Sequence, residues 1–286
     1  MKIMSTIAFW SPLLGGSGNT AHAAAVAAMI GLESRIRVLL GHGGVVGERL
    51  ERAFHIGENS INQSIPTIHD FGMDALERLS LNRRLNKENI RDYTIPLIYE
   101  GLDFVTGNAK REGTLPGYRA SILPTILACA NKYYDLVLMD AGCGKDELDL
   151  RGDGAILNSA DLIVISLTQN IQVLESFFAG RLLPTALQNK PYLIVLSRYD
   201  HDSHYNIHHI KRRFGYDGVI YGIPYSTAFF DAWNMGAVIP FMHRSRHNHS
   251  QKSALPFYES VRTLAKVIME NHNLCKSVEL DQRNVI

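Results

Sequence analysis

Seven residues near the start of the chain, Leu14-Gly15-Gly16-Ser17-Gly18-Asn19-Thr20, have the types and spacing to hold an anion. An apolar run, Met4 to Trp10, precedes them, and an alanine-rich stretch, Ala21 to Leu32, follows. A strand, a glycine loop and a helix start in that order bring backbone N–H groups and the positive end of a helix dipole to one point, which favours phosphate. The same residues also fit a dinucleotide fingerprint, with Gly16, Gly18 and Ala21 in the G-x-G-x-x-G/A positions. That chemistry wants an acid at the end of the second strand to take the ribose hydroxyls. The chain reads Leu39-Leu40-Gly41-His42-Gly43 there, which has none.

Other candidate groups are weaker. His204 and His208 stand four apart, the spacing of a zinc pair on a helix, with His201 and His209 nearby. No cysteine or second motif completes a ligand set, so a solvated polar face is expected. The run from His243 through Arg244, Arg246 and His249 to Lys252 is basic and could meet DNA phosphates or an anionic membrane. A solvated loop before the last helix is the expectation. Cys129, Cys143 and Cys275 are widely spaced and read as free thiols of a reducing cytoplasm.

Elements must position these groups. Of the 286 residues 46% are hydrophobic and 20% charged, with a net charge of +1. These values suit one soluble α/β domain over residues 1–286 and do not by themselves point to nucleic acid. Short, continuously apolar strands are expected at Met4–Trp10, Arg35–Leu40, Leu102–Thr106, Leu136–Met139, Leu162–Leu167, Tyr192–Leu196 and Val219–Ile223. Between them lie helical stretches: Ala21–Leu32, a mixed region from Gly47 to about Lys87, Tyr118–Lys132, Gln172–Leu187, His204–Phe214, and Leu255 to about Asn273. Alternation of this kind predicts a mainly parallel sheet of about seven or eight strands with helices on both faces. In the last helix Val261, Leu264, Ala265 and Ile268 have core spacing. No apolar run reaches the 18 or so residues of a membrane span.

The motifs together resemble the ParA/MinD family of SIMIBI-class P-loop ATPases. Its deviant Walker A loop reads Lys-Gly-Gly-x-Gly-Lys-Thr. Gly15, Gly16, Gly18 and Thr20 match, whereas Leu14 and Asn19 stand where the family has its two lysines. Tyr134-Asp135 through Asp140-Ala141-Gly142 is similar to the Walker B strand. Ser159-Ala160-Asp161 through Ser166-Leu167-Thr168 is similar to the next strand. Leu193 to Tyr199 resembles the strand that ends in Asn-Arg, with Ser197 in place of the adenine-reading asparagine, followed by Arg198. Gly222-Ile223-Pro224-Tyr225-Ser226 through Gly236 resembles the base-side loop and its helix.

The resemblance implies a P-loop NTPase fold and a site for ATP or ADP with Mg²⁺. The nucleotide would meet Gly15, Gly16, Ser17, Gly18, Asn19, Thr20, Ala21, Ser197, Arg198, Pro224 and Tyr225, and the metal Thr20 and Asp140. The switch aspartate is also replaced, at Gly41 to Gly44. Losing one charged partner of a phosphate costs about 1.5–3 kcal/mol, roughly ten- to over a hundredfold in affinity. Each lost transition-state donor costs on the order of a hundredfold in rate. The resemblance therefore implies weakened nucleotide binding and little hydrolysis, unless another cation such as Lys145 replaces the lysines. It further implies a homodimer that acts through protein contacts as a positioning or assembly factor. Within the family the chain looks most like the TadZ/CpaE type, which localises pilus machinery. Placement would be cytoplasmic, or peripheral to a membrane or pole. The alternatives are an active ATPase that partitions cargo on DNA or membrane, and a dinucleotide-dependent oxidoreductase.

Overall fold

The computed structural model describes residues 6–43, 49–56, 71–108, 118–144, 153–187, 190–247 and 253–271. Eight strands among them form one sheet. They are β1 (Thr6–Ser11), β2 (Val38–His42), β3 (Ile95–Ile98), β4 (Leu102–Phe104), β5 (Leu136–Cys143), β6 (Leu162–Thr168), β7 (Tyr192–Ser197) and β8 (Ile220–Ile223). Their order is β3-β4-β2-β5-β1-β6-β7-β8. All pairings are parallel except β3 with β4. This is the mainly parallel α/β sheet that the alternation of apolar runs predicts.

The helices are α1 (Asn19–Glu33), α2 (Arg49–Ala53), α3 (Gly72–Leu81), α4 (Tyr118–Tyr133), α5 (Asp153–Ser159), α6 (Ile171–Phe178), α7 (Ile207–Phe214), α8 (Thr227–Asn234), α9 (Val238–His247) and α10 (Leu255–Asn271). Two apolar clusters show that they cover both faces. One gathers α1, α2, α8, α9 and α10 around Phe9, Leu40, Leu138 and Val164. The other gathers α3 to α7 around Trp10, Val137, Met139 and Ile163. Val261, Leu264, Ala265 and Ile268 of α10 are buried in the first, as their spacing predicts.

Helix α1 is the centre of that first face. Its alanines favour the helix intrinsically and keep it thin, and Ala23 to Ala28 are wholly buried. The far end of α1 meets the β3–β4 turn at backbone contact. A Cβ on Gly101 would lie 2.5 Å from the Gly31 carbonyl oxygen. Gly101→Ala is therefore expected to lower stability by about 1–3 kcal/mol, as overpacking does; an unchanged denaturant midpoint would refute this contact.

Several boundaries differ from the sequence expectation, each for a local reason. The β3 edge strand has Pro96 and half-exposed residues, so it lacks the apolar run of a buried strand. The helix expected to reach Leu187 stops at Phe178, where Gly180 takes φ 75°. The helix expected from His204 begins at Ile207, because the Asn206 side chain accepts from the His209 N–H and caps it. Strand β5 runs on through Asp140 to Cys143, pairing Ser11 with Cys143 after a bulge. His243 to His247 belong to α9 rather than to a loop, and Arg246 donates to the Leu32 carbonyl at the end of α1. Met4, Gly44, Lys145, His249, Lys252 and Cys275 lie outside the described residues.

Candidate functional site

The sheet carries a buried polar row where its central strands end. On the α1 face, Leu40, Leu138, Phe9, Val164 and Val195 belong to the apolar cluster. Two residues further along each strand stand His42, Asp140, Ser11, Ser166 and Ser197. Side chains two apart on a strand share a face, so these five strands, β2-β5-β1-β6-β7 in spatial order, present five polar groups beneath the start of α1. All are 6% exposed or less. Only Asp140 and Ser197 stand out in the sequence, through their resemblance to known motifs.

The loop between β1 and α1 closes over this row. Gly16 and Gly18 take left-handed conformations, φ 71° and 67°. Gly18 caps α1 without a side chain, so the first-turn N–H groups receive no side-chain acceptor from the capping position. Leu14, in the signature-lysine position, is 67% exposed and leans toward Gly144, where a Cβ would lie 2.7 Å from Leu14 Cδ2.

Asn19 turns inward rather than toward a ligand. Its Nδ2 donates to Asp140 Oδ1 at 2.8 Å and to the Gly142 carbonyl at 3.3 Å. The Gly142 N–H donates to the same Asp140 oxygen at 2.9 Å. Asn19 Oδ1 is buried with no hydrogen-bond partner. An orphaned carbonyl of this kind lacks a donor or cation. At the β7 end, Ser197 Oγ donates to the Ser17 carbonyl. That hydroxyl is therefore committed to the loop, leaving only its lone pairs for a base. Arg198 follows with φ 50° and is exposed.

Two histidines that sequence reasoning did not single out belong to the site. His22, on the second turn of α1, is 4% exposed, and its Nδ1 lies 3.1 Å from Ser166 Oγ. Burial pulls its pKa down to about 4, so the ring is neutral at pH 7. His42 lies in the Gly41 to Gly44 stretch that the resemblance sets against the switch. Its Nε2 lies 2.7 Å from Glu51 Oε1, which also accepts from the Gly107 N–H at 3.1 Å. Glu51 is wholly buried, and its Oε2 has no partner. The signal for the row is a polar residue two beyond an apolar one on five successive central strands.

A cavity of about 230 Å³ joins the loop to the β7 and β8 ends. Gly15, Gly16, Ser17, Gly18, Asn19, Thr20, Ala21, Ser197, Arg198, Pro224 and Tyr225 all line it. Asp140 is not on that wall and reaches it through Asn19. Ile223, Phe229, Phe230, Trp233 and Phe257 make the opposite wall apolar. Arg198 is the one lysine or arginine among the described lining residues. The Thr20 hydroxyl makes no hydrogen bond within the described residues. Thr20 on the wall, and the orphaned Asn19 oxygen beside Asp140 behind it, supply oxygen donors of the type hard cations take, a donor chemistry that fits a Mg²⁺-nucleotide.

The zinc-pair spacing of His204 and His208 is not matched by a ligand set among the described residues. His209 Nδ1 bonds the His204 carbonyl, and His204 and His208 are not among a metal-ligand group. The metal-ligand grouping among the described residues is Asp200, His201 and Asp202, all exposed. No described helix is long and apolar enough to cross a membrane.

No protein-family model matches the chain, and no curated protein matches it. Solved structures do. A ParA family ATPase from Chlorobium tepidum TLS matches with TM-score 0.68 at 19% identity, over 92% of this chain and 98% of that one. MinD from Pyrococcus horikoshii OT3, complexed with Mg-ADP, matches with TM-score 0.60 at 19% identity, over 92% and 98%. A putative plasmid partition protein from Borrelia burgdorferi B31, bound to AMPPNP, matches with TM-score 0.63 at 14% identity, over 90% and 96%. Identities this low establish the fold, which is that of the ParA/MinD P-loop NTPases.

Proposed function

We propose that this chain is a ParA/MinD-like protein that binds a Mg²⁺-nucleotide weakly, hydrolyses it slowly or not at all, and works as a positioning or assembly factor through protein contacts. The observation that carries this is the buried bond from Asn19 Nδ2 to Asp140 Oδ1 at 2.8 Å. The residue in the phosphate-lysine position is turned onto the carboxylate of Asp140, and among the described residues no lysine lines the cavity in its place. The glycine loop, the uncapped start of α1, Thr20 and Asp140 remain to hold phosphates and metal. Mg²⁺, when bound, would neutralise phosphate charge.

Hydrolysis has lost more than binding. Neither Leu14 nor Asn19 brings a positive charge to a transition state, and the Asn19 amide already donates to Asp140 and to the Gly142 carbonyl. At the end of β2 a buried histidine, held by Glu51, lies in the stretch that the resemblance sets against the switch. The dinucleotide alternative gains an acid here in space, since Glu51 approaches the end of β2. That carboxyl is wholly buried and already bonds His42 and Gly107, so it is poorly placed for a ribose.

Contact with partners is supported by apolar side chains around the cavity. Tyr225 is 54% exposed and Phe230 47%, their rings 6.2 Å apart, and Leu14 is exposed on the loop. A homodimer through this face, in a pilus- or pole-type assembly system, is the partner we propose. Among the fold neighbours, MinD of Aquifex aeolicus forms a MinC:MinD complex.

The test is a titration of Mg-ATP, Mg-ADP and NAD(P)H with turnover measured on the same preparation. Nucleotide binding with negligible turnover, weakened further in Asp140→Ala, is expected. ATP hydrolysis abolished by Asp140→Ala would establish an active ATPase instead. NAD(P)H binding in preference to ATP would establish the dinucleotide alternative.

A further inference from the structure

Beneath the loop, one buried nitrogen faces the cavity without a partner. His22 is 4% exposed and lines the cavity wall. One ring edge is fixed, with Nδ1 3.1 Å from Ser166 Oγ. The other edge lies against Gly18. A Cβ on Gly18 would stand 3.2 Å from His22 Nε2, 3.3 Å from Cε1 and 3.4 Å from Ser197 Oγ. Nε2 makes no hydrogen bond within the described residues. It is also absent from the buried polar atoms that lack both partner and solvent, Asn19 Oδ1, Glu51 Oε2, Asn131 Oδ1 and Ser245 Oγ. The nitrogen therefore opens on the cavity space.

Its chemistry follows from the ring's other bond. A neutral imidazole carries one N–H. When the Ser166 hydroxyl donates to Nδ1, the proton sits on Nε2 and points into the cavity. An anion in the glycine loop favours that tautomer over the one presenting a lone pair. Nε2 lies on the Ser197 side of Gly18, and Arg198, Pro224 and Tyr225 line the same cavity; on the nucleotide assignment above that is the nucleoside side.

We propose that His22 is a ligand-binding residue of this cavity: Nε2–H, oriented by Ser166, donates to the phosphate of a nucleoside phosphate on the nucleoside side of Gly18. This rests on the nucleotide assignment above. It gives Gly18 a second reason to be glycine besides its φ of 67°, because a side chain would fill the gap between His22 and Ser197. It also gives the site a phosphate donor that the glycine-loop motif does not contain.

Two substitutions separate the ring's two edges. His22→Asn keeps a group at the Nδ1 position for Ser166 and removes the nitrogen that faces the cavity. His22→Gln keeps a donor near the Nε2 position. Calorimetric titration with Mg-ADP should show His22→Asn binding about ten- to a hundredfold more weakly, the range for a hydrogen bond to a charged group, with His22→Gln recovering most of the loss. In the unsubstituted chain, long-range proton–nitrogen spectra of labelled histidine should show Nε2 protonated and shifted by saturating Mg-ADP. That readout stands even if His22→Asn fails to fold. ADP binding by the parent with an unmoved Nε2 resonance, or with undiminished affinity in folded His22→Asn, overturns the role of His22 and leaves the nucleotide assignment intact. A parent chain that binds no nucleotide overturns both.

Discussion

Glu51→Ala is expected to lower stability by roughly 3–5 kcal/mol, because two buried donors lose their acceptor at about 1–3 kcal/mol each and a cavity is left. Glu51 is wholly buried and accepts from His42 and from the Gly107 N–H. Alanine removes the oxygen that takes both bonds and leaves a cavity between α2 and the end of β2. For a chain of this size the melting midpoint should fall by roughly 6–20 °C. Glu51→Gln should cost much less, because an amide oxygen in the Oε1 place can still accept both bonds. Denaturant unfolding of both variants decides it. A loss under about 1 kcal/mol for alanine would mean that the pair contributes little. This result also bears on the proposed function, since His42 lies in the Gly41 to Gly44 stretch that the resemblance sets against the switch. If the pair is stabilising, the end of β2 serves to hold the fold.

Restoring lysine at Asn19 is the complementary test, because it should add affinity. Asn19→Lys places an ammonium at the start of α1, where Asp140 Oδ1 can pair with it and phosphate can reach it. A regained charged contact is worth about 1.5–3 kcal/mol, so Mg-ADP and Mg-ATP should bind roughly ten- to over a hundredfold more tightly. Leu14→Lys, at a 67% exposed position, should add little in a monomer. It should matter only where a second chain brings its nucleotide near. Equilibrium titration of the two single variants and the double variant separates these effects. No gain from Asn19→Lys would mean that the bond to Asp140 holds the loop in a closed form that lysine cannot open.

Much of this architecture was legible because apolar runs are read directly. Strands such as Ile7 to Trp10, Leu136 to Met139 and Leu162 to Ile165 are buried on both faces, so nearly every residue is apolar and the parallel sheet announces itself. Edge strand β3 was not legible, because Ile95-Pro96-Leu97-Ile98 pairs on one side only and contains a proline. The glycine loop was legible from spacing, since left-handed backbone at Gly16 and Gly18 demands glycine. The polar row was harder. Ser11, Ser166 and His42 each close an apolar run, and a polar residue in that place reads as an ordinary strand end. Only the sheet order puts them side by side. His22 was hidden for a related reason: an alanine-rich helix with one histidine gives no periodic signal that singles out the ring. Glu51 pairs with His42 across nine residues, and no short motif links them.

The polar row also bears on how such a site can change over time. Each of its five members has its hydrogen bond from within the chain: His42 with Glu51, Asp140 with Asn19 and the Gly142 N–H, Ser11 with the Ser166 carbonyl, Ser166 with His22, and Ser197 with the Ser17 carbonyl. Folding therefore does not wait on a ligand to satisfy these groups. Selection for stability and selection for turnover act on separable bonds. A lineage can let its catalytic cations drift away while the scaffold keeps its shape, and a new binding partner can be acquired on the outer surface without refolding the centre.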